Sequence, residues 1–153
     1  LRSRRFRIIL SLLLALSMLF CKTPEQPAEN QEPVVVFPDG FVVTLSVART
    51  DREKALGLMF VPSLPDDRGM LFLNHSESMN PFWMKNCLIN LDLLWLDANG
   101  TIVDISRNLP PCQEDPCPNY FPKAPYTIVL EVRGNLAAEH GLAVGDRLAF
   151  FGL

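Results

Sequence analysis

The chain is 153 residues long, 48% hydrophobic and 20% charged, with a formal net charge of -3. Residues 1–20 hold four arginines and no acid, so the remainder sets ten Lys and Arg against 17 Asp and Glu, a net charge of -7. An acidic body of that length holds one small domain with a single core, and it argues against binding nucleic acid or an anionic membrane surface through a basic patch.

The chain opens "LRSRRFRIILSLLLALSMLFCKTP". Its basic start and apolar run over residues 8–20 have the plan of a secretory signal, and the run falls short of the roughly 20 residues that span a bilayer. Leu19, Phe20 and Cys21 are similar to a lipobox, in which Cys21 becomes the lipid-bearing first residue of an exported protein. Phe20 is bulky where such boxes carry a small residue, which leaves an uncleaved anchor as the alternative. Residues 21–33, "CKTPEQPAENQEP", have little to bury and are expected to form a flexible tether. Residues 34–153 are then the β-rich domain, placed by this reading at the cell envelope, in the periplasm or on the outer surface.

"PDGFVVTLSVA" starts at a turn and alternates, with Val43, Leu45 and Val47 on one face. "RTDREKALGLMF" changes period. Thr50 and Glu53 match a capping box and Gly57 ends the short helix. "RGMLFL", residues 82–86, residues 91–96 and residues 101–106 follow as strands, the last two joined by a hairpin at Asn99 and Gly100, a pair suited to turn positions of positive φ. After a loop rich in proline and cysteine come a strand "YTIVLEV", a helical turn "NLAAEHG" and a last strand "GDRLAFF". Short strands at regular spacing with one or two small helices favour a mainly β domain, an antiparallel sandwich or barrel, over a βαβ fold.

The segments "ARTDREKALGLMF", "RGMLF", "FWMKNCLINLDLLWLDANGTIVDI" and "VLEV", followed by "GLAVGD", stand in one order. In that order they resemble the domain-of-unknown-function 192 family, also called uncharacterised protein family 0127. The resemblance runs from about Val42 to Phe150 and implies a β-sandwich of jelly-roll-like character; it supplies no function. Cys87 stands where the family usually has threonine, so a role for a hydroxyl there does not carry over. The segment between Glu131 and Gly134 also looks shorter than is usual in the family.

Lys85 and Asn86 interrupt an apolar run. On a strand they point to opposite faces, Lys85 with Trp83 and Asn86 with Phe82 and Met84. A lysine among apolar neighbours needs a carboxylate or a wet opening. Asp92 and Glu131 are the acids expected to supply it. The plainer reading is a structural ion pair. The functional one gathers Trp83, Lys85, Asn86, Asp92 and Glu131 around a pocket, polar groups set in an apolar lining as small-ligand sites require. On that reading the domain is a non-catalytic module for a small molecule, a glycan or an envelope protein. The alternative is a hydrolase or transferase using Lys85 with Asp92 or Glu131 for acid–base work.

Cys112 and Cys117 lie in one proline-bounded loop, and export would favour a disulfide between them, leaving Cys87 buried and inert. Met59, Met70, Met79 and Met84 raise a weaker alternative, Cu(I) handling by soft thioethers, against their ordinary use as core fillers. His75 and His140 do not make a zinc pattern with these cysteines. No phosphate loop or Ser-His-Asp order is present, and neither a cofactor nor a metal is expected.

Overall fold

The structure is a computed structural model that describes residues 32–153. The signal segment 1–20, lipidation at Cys21 and all but the last two residues of the tether 21–33 lie outside the described residues. The domain is mainly β. Its strands are β1 (Val34–Val36), β2 (Val42–Ala48), β3 (Arg68–Ser78), β4 (Phe82–Trp83), β5 (Leu91–Leu96), β6 (Ile102–Leu109), β7 (Asn119–Tyr120), β8 (Tyr126–Arg133) and β9 (Ala149–Phe151). Two short helices, α1 (Asp51–Leu56) and α2 (Leu136–Glu139), interrupt them.

Seven strands form one sheet in the order β6-β5-β8-β3-β2-β1-β9, and β4 and β7 make a separate pair. All pairings in the large sheet are antiparallel except β2 with β3, which run parallel with Leu45 beside Gly69 and Val47 beside Leu71. A parallel pair needs a crossover. The chain supplies it through α1 and the loop after it. Its start is fixed by the expected capping box: Thr50 Oγ1 accepts from Glu53 N, and Glu53 Oε2 accepts from Thr50 N at 2.8 Å. Gly57 ends the helix at φ 50.

The sheet curls until its two ends meet. Thr101 at the head of β6 bridges Arg147 just before β9, flanked by bonds from Leu148 N to Gly100 O and from Ile102 N to Asp146 O. Alternation then sorts the side chains into two cores. Inside the curl lie Val43, Leu45, Leu71, Leu94, Leu96, Leu130 and Val132. Outside it, Phe72, Met84, Cys87, Leu93, Trp95 and Val129 form a second cluster. That one is roofed by the small sheet, whose Phe82 packs edge-on against Phe72, Trp95 and Tyr126. With both faces covered, every residue of β5 is buried, which is why "LDLLWL" is a continuous apolar run broken only by Asp92.

Two local expectations are corrected. The strand expected over residues 82–86 stops at Trp83, because Asn86 adopts φ 55 and turns the chain, while Met84 O accepts from both Cys87 N and Cys112 N. The hairpin between β5 and β6 forms, yet of its expected turn pair only Gly100 has positive φ. Its turn begins one step earlier, at Asp97, whose O accepts from Gly100 N and whose Oδ1 accepts from Asn99 N and Thr101 N.

Candidate functional site

Glu131 lies in β8 with Met70 on one side and Leu93 on the other. Strand alternation therefore points it outward, away from Leu130 and Val132 and into the second cluster. The residue is 5% exposed, and its Oε2 is buried without a hydrogen-bond partner among the described residues. Burial pushes this carboxyl up to about 8, so it is held neutral at pH 7.

Above it opens a cavity of about 120 Å³. The end of α1 supplies one wall through Gly57, Leu58 and Met59, and the rings of Phe72, Phe82 and Trp83 supply another. Gly57 keeps its wall thin: a Cβ there would lie 3.5 Å from the Phe72 ring and 3.9 Å from Glu131 Oε2. Cys87 borders the same space. Burial first, and then the charge of Glu131, push its thiol up to about 11, which keeps it from being a thiolate nucleophile near neutral pH.

Trp83 and Lys85 also line the cavity, at its rim, where Trp83 is 47% exposed. The partner of Lys85 is neither of the expected acids. Its Nζ donates to both carboxylate oxygens of Asp115, at 2.7 and 3.0 Å, and lies 5.6 Å from the Trp83 ring centroid. Asp115 belongs to the loop closed by the disulfide between Cys112 and Cys117. That loop is tied to the rim through Asn86 N, which donates to Cys112 O, and through the bridge of Lys85 with Cys112. Asn86 supports the site from behind: its O accepts from Phe60 N and its Nδ2 approaches Met59 Sδ at 3.9 Å. Phe60 itself takes φ 64, an unusual backbone for an aromatic residue, with its side chain 61% exposed.

Asp92 is elsewhere. It stands opposite Val132 on β8, one step from Leu93 and so on the inner face, which is why it cannot meet Glu131 or Lys85. Fully buried, it accepts from the backbone N–H groups of Asn108, Asn135 and Ala137 and thereby fixes the approach to α2. Acid–base work by Lys85 with Asp92 is thus ruled out by geometry. The candidate methionines are dispersed in environment: Met84 is core, Met70 packs on the second cluster, Met79 is exposed and Met59 lines the cavity.

Three of the five expected residues, Trp83, Lys85 and Glu131, therefore share one concavity. Asn86 braces its rim and Asp92 is a structural ligand for backbone. Sequence reading missed the walls at Gly57, Met59, Phe72 and Phe82 as well as the acid at Asp115. The helix end at Gly57 was visible, but nothing in the chain announced that it packs over β8.

The family model for DUF192, described as an uncharacterized ACR, matches residues 34–150. Among curated proteins, none matches the chain. A solved structure of a protein of unknown function from Novosphingobium aromaticivorans is 35% identical, with a TM-score of 0.68 over 76% of this chain and 82% of that one. Another, from Sinorhizobium meliloti and named a "putative transcription regulator", is 29% identical with a TM-score of 0.69, over 79% of this chain and 93% of that one.

Proposed function

The chain belongs to the DUF192 family, and we propose that this member is a non-catalytic binding module, exported and tethered at the cell envelope through Cys21. It takes a small polar group, carried by a free molecule, a glycan or an envelope protein, into the cavity above Glu131. One observation supports this most: a buried carboxyl with no partner among the described residues borders an open cavity lined by both polar and apolar groups. Leaving such a group unsatisfied costs roughly 1–3 kcal/mol, which an incoming hydrogen-bonding ligand recovers. The exposed indole of Trp83 gives the rest of the ligand a flat surface beside the opening.

Fragment screening by nuclear magnetic resonance tests the binding. Hits are expected to shift amides of β8, α1 and residues 83–87, and to weaken with Trp83→Ala and with Glu131→Gln. Hits that bind both variants as they bind wild type would remove the assignment. The tether is supported by the N-terminal pattern alone. Partition of the whole chain into detergent, lost with Cys21→Ser, is its test, and equal partition of the two would sink it.

A further inference from the structure

We infer that the group taken up above Glu131 is a small organic cation, an alkylammonium or guanidinium head, with the Glu131 carboxylate as its counter-ion. This deepens the binding reading and rests on it.

The first support is where the protein's own cations go. Two lysines line the cavity, and neither is spent on Glu131. Lys54 Nζ donates to Leu73 O at 2.6 Å, and Lys85 Nζ is held by Asp115. A carboxyl in a cavity whose two lysines are both committed elsewhere is a site prepared for a charge from outside. The second support is the lining. Aromatic rings from Phe72, Phe82 and Trp83 with the thioether of Met59 suit a cation, which ring faces attract, better than an anion, which they repel. The chain already shows the pairing at the rim, where Lys85 sits over Trp83. Third, residues 32–153 carry nine Lys and Arg against fifteen Asp and Glu, a field that draws cations in.

Size narrows the class. A volume of about 120 Å³ is well below the ~300 Å³ at which sites begin to enclose a whole drug-sized ligand. It accommodates a head group with a short alkyl stem.

Protons balance as follows. The empty site holds Glu131 as the neutral acid; a bound ammonium converts it to carboxylate, and one proton leaves to solvent. The other charged or titratable groups lining the cavity with Glu131 are Lys54 from α1 and Lys85 and Cys87 from the segment after β4. Asp115 acts only through Lys85, and the neighbours from β3 and β5 are the apolar Met70 and Leu93. Affinity for a cation therefore rises with pH until Glu131 ionises unaided, near 8, and then levels off.

The experiment titrates wild-type protein with n-propylamine, n-propanol, propionamide and propionate at pH 6, 7 and 9, following amide shifts. N-acetyl-lysine amide, in a parallel arm, presents the same head as a protein side chain would. n-Propylammonium is expected to bind about tenfold tighter at pH 7 than at pH 6 and to plateau by pH 9, with Glu131→Gln weakening it about tenfold or more at pH 9. Binding of the lysine derivative alone, with the same pH slope, keeps the cation class and identifies its source as a protein lysine. Propionamide, n-propanol or propionate binding as tightly as the amine, or amine binding without the pH slope, overturns the inference while the binding reading stands. Binding by none of the probes overturns the inference, and the binding reading is then decided by the fragment screen.

Discussion

Two buried acidic residues, Asp92 and Glu131, lie on adjacent strands and have opposite fates. Asp92 accepts three backbone N–H groups, from Asn108 at 2.6 Å, Asn135 at 3.1 Å and Ala137 at 2.8 Å. Glu131 keeps an oxygen with no partner among the described residues. Removing the first acceptor strands one buried and two part-buried backbone donors, so Asp92→Ala is expected to lower stability by about 2 kcal/mol or more, read as a drop in the urea midpoint at unchanged slope. A loss below about 1 kcal/mol would show that water replaces the carboxylate and that the approach to α2 does not depend on it. Both residues stood out in the sequence as acids in apolar strands. Their faces did not, because a residue's side depends on register, and register is set by partners far along the chain. Lys85 carried the same ambiguity. Its need for an acid was legible, whereas Asp115 comes from a loop that only the folded chain brings alongside.

At the scale of the element, local chemistry was readable and long-range pairing was not. Thr50 with Glu53 announced α1, and the turn before β6 announced its hairpin. The parallel pairing of β2 with β3 left no mark, since alternation looks the same in either direction. The segment after Trp83 misled because Met84 continues the apolar run of Phe82 and Trp83, whereas Asn86, a poor strand former, turns the chain with hydrogen bonds to Cys112 and Phe60. Gly100 gives the sharpest test of an element junction. It has φ 79, and a Cβ there would lie 2.7 Å from Leu148 O, the segment that fastens the sheet's two ends. Gly145 has φ 98 with no atom within 4 Å. Gly145→Ala is expected to cost roughly 1–2 kcal/mol of backbone strain, and Gly100→Ala clearly more, with faster hydrogen exchange at the Leu148 amide. Equal losses for the two would mean that the close approach at Gly100 relaxes freely.

Across the whole molecule, ionisation sets a stability window with two unlike edges. Glu53 is held below the usual carboxylate range by the Thr50 N–H, Asp97 by the Thr101 N–H, Asp66 and Glu139 by Arg133, and Asp39 by His140. These groups contribute above about pH 4, and the contribution is lost as pH falls through their folded values. Glu131 works the other way. Between 4.5 and about 8 the folded protein holds a proton that the unfolded chain has released, so stability from this group falls as pH rises through that range. Denaturation midpoints measured from pH 3 to 9 are expected to peak at about pH 5, and Glu131→Gln is expected to flatten the alkaline limb while leaving the acid limb in place. An alkaline limb unchanged in that variant would show that Glu131 does not govern it. The mainly β class was legible in the spacing of strands and turns. The closure was not, because Thr101 and Arg147 pair across most of a sheet. That closure has a consequence for biosynthesis. A ribosome delivers β9 after every other strand, so the nascent domain waits with the outer edge of β1 and the head of β6 both unpaired, two sticky seams that β9 and the residues leading into it seal together.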